Sequence, residues 1–398
     1  MKKKRRIKVF KNMNKSLLIM TLIFAIGGAF LILDASSISS VLTYGNDSPY
    51  YYFQRQLIFI AFSLFCSIVI IHIDTKWYKG ISLLLSLLFT GLLGIVYIKN
   101  SLFSSSVSEV TLSLFGGRFQ PAEFLKVFLV MYMGCFYGTW ANKEEKSKFS
   151  FVIPLILCIT ATGLIALGGD FGSAAIMIAL YVLVFASVPS EDKIVKWLKK
   201  ISIACLLICV FVLKFAYLVV PEDVLASKYR LNRFIYTHPC DRYEENSGYQ
   251  VCNGYIAIDN GGLLGVGIGD SIQKYMYLPA SHTDFIFPIV VEELGVIAGV
   301  LIIIGFMAIL YLIFRISVNT NKLQNSIICY GIGIYFMLHI FVNLGGVLGV
   351  IPLTGIPLPF LSYGGSFCMA LICSFAVIQR IHIENQEYKK NAELKNNN

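Results

Sequence analysis

The feature that most limits what this chain can fold into is the recurrence of apolar runs about as long as a bilayer is thick. Roughly 20 residues of helix cross a hydrocarbon core of ~30 Å. Runs of that order lie at 17–33, 55–73, 80–98, 121–140, 151–168, 172–188, 201–220, 285–314, 326–350 and 364–382. A spanning segment must satisfy its backbone N–H and C=O groups internally, so these runs predict helices. The expected class is therefore all-α, a polytopic membrane protein with about ten transmembrane helices. Composition excludes the soluble alternative: 57% hydrophobic residues, 14% charged and a mean hydropathy of +0.71 leave too little polar surface for a globular domain in water.

The net charge of +10 fits topology rather than nucleic acid, because Lys and Arg gather in short segments between apolar runs. The chain opens on MKKKRRIKVFKNMNK, and the run after it is longer than a signal-peptide core and lacks a clear cleavage site, which predicts a retained first span. With residues 1–15 as a basic cytoplasmic tail, most of the 33 Lys and Arg residues fall on the inner side. The expected division is a membrane domain over 16–382, with one large extracytoplasmic loop at 221–283, and a second cytoplasmic tail at 383–398. Trp77, Trp140 and Trp197 fall in or beside the inferred inner loops, where interfacial tryptophans are expected.

Ionisable side chains inside apolar spans are costly, so they face a cavity or pair with one another. Arg55, Glu123, Lys126, Asp170, Lys214, Glu292 and Glu293 are of this kind. Glu123 and Lys126 stand three apart after Gln120-Pro121, on one helical face, as either a packing ion pair or a substrate contact. Asp170, in Gly-Gly-Asp-Phe-Gly, reads as a helix cap or as part of a cavity-lining break. Glu292 and Glu293 predict a cationic partner elsewhere. Asp284 lies where the polar run Pro279–Asp284 passes into the span beginning at Phe285, a carboxylate at the boundary of water and hydrocarbon. His282 is either a base or a loop-shaping residue. The glycine-rich runs 260–269 and 352–366 lack the strand-helix context of a nucleotide loop, and close backbone packing is the better expectation. Cys240 and Cys252 lie in a polar loop, and a disulfide between them is left open. No His or Cys cluster has metal-ligand spacing.

Taken in order, Gln120-Pro-Ala-Glu-x-x-Lys126, Asp170-Phe-Gly-Ser-Ala174, Tyr249-Gln250, Leu278-Pro-x-x-His-Thr-Asp-Phe-Ile-Phe287, Glu292-Glu-Leu-Gly295 and Pro357-Leu-Pro-Phe-Leu-Ser-Tyr-Gly-Gly-Ser366 resemble the SEDS family of shape, elongation, division and sporulation proteins. The resemblance runs nearly the length of the chain and departs from the family's pattern at 101–118, at Gly169 and at Asn253-Gly254. The run 267–274 is similar to division and sporulation members, while Thr354–Pro357 also suits elongation members.

The resemblance implies a ten-span peptidoglycan glycosyltransferase of the bacterial cell membrane. Such an enzyme polymerises lipid II, an undecaprenyl-diphosphate-linked disaccharide peptide, on the extracytoplasmic face beside a class B penicillin-binding protein. Asp284 matches the family's essential carboxylate, Glu123 and Lys126 its intramembrane pair, and Arg55 its cavity cation. One base and positive charge on a departing diphosphate suffice for this chemistry. Arg55, Lys126 and Arg233 are the candidate cations, with Asp170 and His282 as further substrate contacts. No motif demands a cofactor, although a divalent cation could share the diphosphate charge. Two rival readings are a transporter (flippase) for lipid-linked precursor and a non-catalytic scaffold for the synthase.

Overall fold

A computed structural model describes residues 9–44, 49–103, 112–114, 117–141, 150–219, 238–243, 246–279 and 281–396. Helices stand at all ten expected positions: α1 (Lys15–Tyr44), α2 (Tyr51–His72), α3 (Tyr78–Phe103), α4 (Pro121–Ala141), α5 (Ile153–Leu167), α6 (Phe171–Ser187) and α7 (Lys193–Val219), then α9 (Ile286–Val318), α10 (Leu323–Val347) and α11 (Gly365–Asn396). Eight of the described helices are long and apolar enough to cross a membrane, while α6 is apolar but shorter. An additional helix, α8 (Asn246–Gly261), lies inside the segment expected to be one large loop. The helical class holds, joined by one short antiparallel ribbon of β1 (Leu112–Leu114) and β2 (Gly117–Phe119).

Two helices run more than ten residues past their expected ends. The first continues from the expected 33 to Tyr44, which brings Asp34 inside it. The last runs unbroken through 382 to Asn396, so the expected tail begins as an extension of a span. Its added residues include three Glu and three Lys, good helix formers that need no apolar surroundings.

Layering follows polarity. Helices α4, α10 and α11 are buried for most of their length, whereas α1, α2, α3, α5 and α9 turn most of their surface outward. The interior helices can therefore carry Glu123, Tyr335, His339 and Asn343 without exposing them to lipid. Helix α4 packs on α3 and α10, α11 on α2, and α9 on α8, α10 and α1. The last helix also grips the backbone just before the first: the Asn14 N–H donates to Gln379 Oε1, and Gln379 Nε2 donates to the Asn14 carbonyl, both at 2.9 Å.

Helix α9 is broken at Gly295, whose φ of 84° lies in the region that favours glycine. An unbroken helix would bond Val296 N–H to the Glu292 carbonyl and Ile297 N–H to that of Glu293. Here the glycine-rich run takes up all four groups. Val266 and Gly267 donate to the carbonyls of Glu292 and Glu293 at 2.9 and 3.1 Å, and the carbonyls of Gly262 and Leu263 accept from Val296 and Ile297 at 2.9 and 3.4 Å. Gly265, at φ 81°, lies so close to the Glu293 carbonyl that a Cβ would collide with it. The run 260–269 is thus a backbone insert in a broken helix, as close packing predicted.

Candidate functional site

Four segments converge at the start of α9. The loop holding Asp284 is clasped by the second glycine-rich run. Asn343 of α10 donates its Nδ2 to the carbonyls of Asp284 (2.9 Å) and Ile356 (2.7 Å), bridging the two loops. Ser362 Oγ donates to the Thr283 carbonyl and accepts from Leu358 N–H, both at 2.7 Å, while Tyr363 N–H donates to the His282 carbonyl at 2.9 Å. Consecutive carbonyls of residues 282–284 are therefore each held, by α10 or by the clasping run, which limits where the Asp284 side chain can point. Gly355, at φ 73°, stands against that side chain: a Cβ there would lie 3.3 Å from Asp284 Oδ2. Asp284 itself is half-buried.

His282 packs its ring 4.4 Å from that of Tyr52, and its Nδ1 lies 3.4 Å from Ser39 Oγ. Burial pushes the imidazole down to about 4, so it is neutral near pH 7. Tyr52 belongs to the first turn of α2, where Arg55 lies 4.5 Å over the Tyr51 ring. Arg55 and Asp284 therefore share one end of the bundle, linked through Tyr51, Tyr52 and His282.

Asp170 caps α6 by accepting from Ser173 N–H at 2.9 Å, and its second oxygen accepts from Gln120 Nε2 at 2.9 Å. Gln120 N–H in turn donates to Ser366 Oγ. The capping expectation holds, and the same carboxylate ties the start of α6 to Gln120 before α4, whose N–H reaches Ser366. One turn into α4, Lys126 Nζ lies 2.7 Å from Glu123 Oε1, and both side chains are fully buried. Tyr335 donates to the other Glu123 oxygen at 3.0 Å, and His339 lies 3.8 Å from it while stacking on Phe367.

Behind the Asp284 loop, Lys274 Nζ donates to Glu293 at 2.7 Å and to Asp34 at 3.1 Å. Burial opposes its charge, but its bonds to Glu293 and Asp34 prevail and hold the ammonium above the ordinary lysine value. Glu292 accepts from Asn260 Nδ2 (3.2 Å), Ser271 Oγ (2.5 Å) and the N–H groups of Ile272 and Gln273 (both 3.3 Å). The expected cation is thus met at Glu293 by Lys274, on a loop rather than a helix, while the partners of Glu292 are neutral donors. Cys240 and Cys252 are joined by a disulfide, which fixes the short 3-10 turn Pro239–Arg242 to α8. Among the described residues no three His, Cys, Asp or Glu side chains gather to hold a metal ion.

The family model described as a cell cycle protein, covering FtsW, RodA and SpoVE, matches residues 14–387. The chain belongs to the FtsW/RodA/SpoVE family. Within it, a probable peptidoglycan glycosyltransferase FtsW of Bacillus subtilis (strain 168) is 31% identical over 399 residues, covering 97% of this chain and 95% of that protein. Another, from Wigglesworthia glossinidia brevipalpis, is 32% identical and covers 99% of both chains. A solved chain from a peptidoglycan synthase complex that coordinates polymerization and crosslinking shares the fold at TM-score 0.67 and 20% identity, over 94% of this chain and 98% of that one. Family membership and the apolar helices make this a multi-pass bacterial membrane protein.

Of the residues the FtsW/RodA/SpoVE resemblance singled out, Arg55, Asp170, His282 and Asp284 come together at one end, and Glu123 with Lys126 lies in the interior beneath. Arg233 falls outside the described residues. Sequence reasoning missed Asn343, His339 and Asp34. A signal existed for the first two, polar residues inside the apolar run 326–350, and for Asp34, one residue past the first run.

Proposed function

We propose that this chain is a peptidoglycan glycosyltransferase that polymerises lipid II on the extracytoplasmic face of the membrane, with Asp284 as its base. The observation that carries the reading is the clasp. Three successive carbonyls are pinned so that one half-buried carboxylate stands at the mouth of α9 against a residue without a side chain. Gly355 leaves room there for a sugar hydroxyl.

In this mechanism the Asp284 carboxylate accepts the proton of the acceptor GlcNAc 4-hydroxyl. The freed oxygen attacks the anomeric carbon of the donor strand, and the bond from that carbon to the diphosphate oxygen breaks with inversion. Its electron pair leaves on undecaprenyl diphosphate, a stable anion that needs no second carboxylic acid. Arg55, on the same end of α2, supplies positive charge to the departing diphosphate. His282, neutral and packed on Tyr52, shapes the loop rather than taking the proton. Glu123 and Lys126 neutralise one another below the site and fix α4 against α10, while Asp170 holds Gln120, which in turn bonds Ser366. The inner placement of both termini follows from the Lys and Arg distribution. A class B penicillin-binding protein is the expected partner, in keeping with the synthase complex that contains the similar chain.

Glycan-chain formation from purified lipid II, alone and with a class B synthase, tests the proposal. Polymer from the wild type and none from a folded Asp284→Asn variant is the expected result. Wild-type-like polymer from Asp284→Asn would remove the assignment of the base. Lipid II translocation without polymer under any condition would favour the transporter.

A further inference from the structure

The loop that repairs α9 carries a second feature that catalysis does not use. Gly261 and Gly265 lie against the helix, but side chains near them turn outward: Leu263, Leu264 and Ile268 are 69%, 81% and 76% exposed. In water this would be an unusually apolar loop. Its height relative to the helix gives the reason. Leu263 bonds to Ile297, and from Ile297 to the exposed Arg315 the helix rises about 27 Å at ~1.5 Å per residue, close to the ~30 Å of hydrocarbon between two interfaces. With Arg315 at one boundary, the loop lies at the other.

The outward face of α9 below the break is an apolar stripe at helical spacing, Ile297, Leu301, Ile304 and Tyr311, all exposed as a lipid-facing surface would be. Leu263, Leu264 and Ile268 continue that surface past Gly295. Backbone entering hydrocarbon must have its polar groups satisfied within the protein. Where it abuts α9, this loop meets that demand. Gly265 N–H donates to the Gly261 carbonyl at 2.7 Å, Val266 and Gly267 donate to α9, and the Gly262 and Leu263 carbonyls accept from it. Just beyond, Tyr275 and Tyr277 are exposed, the residue type that settles between headgroups and acyl chains.

We infer that the loop 261–269 is seated in the bilayer, its Leu263, Leu264 and Ile268 side chains among the acyl chains of the leaflet on the Asp284 side. The loop is then a foot that sets the depth of the break in α9, and with it that of the segment 271–284, which Glu292 and Glu293 hold through Ser271, Ile272, Gln273 and Lys274. The inference concerns membrane contact alone and stands or falls independently of the polymerisation chemistry.

The test is fluorescence of Leu264→Trp in phosphatidylcholine vesicles, read as the difference from the wild type with its three native tryptophans. The expected result is loss of most of the added emission when the lipids carry brominated acyl chains, with no loss to aqueous iodide. Quenching by iodide and not by brominated lipid overturns the inference. Shielding from iodide that arises only when a class B synthase is reconstituted alongside also overturns it, giving the surface to a protein partner. Ile268→Trp, at the most distal apolar position of the loop, provides the same readout where Leu264→Trp does not fold.

Discussion

Two buried cations in this molecule are held in the same way and for different ends. Lys274 is gripped by Asp34 of α1 and Glu293 of α9, and it sits on the segment that leads into Asp284. Arg380 of α11 is gripped by Asp74 and Glu384 and also donates to the Ile71 carbonyl, tying the last helix to the turn between α2 and α3. Each is almost fully buried, and each joins segments far apart in sequence. The difference lies in what is attached. Lys274 positions a loop whose next residues form the proposed site, whereas Arg380 positions only the bundle. Similar ion-pair energetics therefore predict separable effects on stability and activity.

The sharpest way to break this comparison is to remove each cation while keeping its bulk. Removing one partner of a buried pair costs on the order of 3–5 kcal/mol, because the remaining carboxylates are left uncompensated. Lys274→Met and Arg380→Met should both lower the thermal midpoint in detergent by similar amounts. Polymer formation per folded molecule should collapse only in Lys274→Met. Equal specific activities in the two variants would show that Lys274 is no more than a structural tie.

Asn343→Ala tests the clasp directly. It leaves the carbonyls of Asp284 and Ile356 without their donor, at a cost of roughly 1–3 kcal/mol for unsatisfied buried groups. Polymerisation should fall while lipid II binding, measured separately, changes little. Matched losses in both would argue against a positioning role.

His282 offers a pH handle on the same loop. Its folded value, about 4, lies below the unfolded value of ~6.5, so the folded state resists a proton that the unfolded state accepts. Its contribution is fully present above ~6.5 and is lost as pH falls toward 4, up to roughly 3 kcal/mol. Thermal midpoints should decline across that window in the wild type and less steeply in His282→Gln. The mildest effect is expected from Cys240→Ser with Cys252→Ser. This change removes a crosslink outside the clasp, so it should lower stability while leaving specific polymerising activity near that of the wild type.

Much of the scaffold was legible because bilayer thickness imposes a length on each helix, and the ten apolar runs fall on ten helices. Capping by Asp170 was legible too, since a cap acts over three residues. The glycine-rich run could be read as close packing, yet its partner could not: nothing local pairs Val266 with Glu292. The same holds for Lys274 with Asp34 and for Tyr335 with Glu123, contacts 240 and 212 residues apart. Such pairings are set by how helices assemble, and a single sequence records only that a buried polar group needs some partner. Asn343 illustrates the boundary. Its polarity within an apolar helix marks it as constrained, but its role as a bridge between two loops exists only in three dimensions.

The Asn14–Gln379 bond has a consequence in time. Ribosomes deliver the chain from its amino end, so α1 enters the membrane long before Gln379 has been made. Until then the Asn14 amide has to find another companion, and the flank of α2 that α11 will cover stays open. Assembly is therefore a closing ring rather than a growing stack, and its first helix is not finished until its last one arrives.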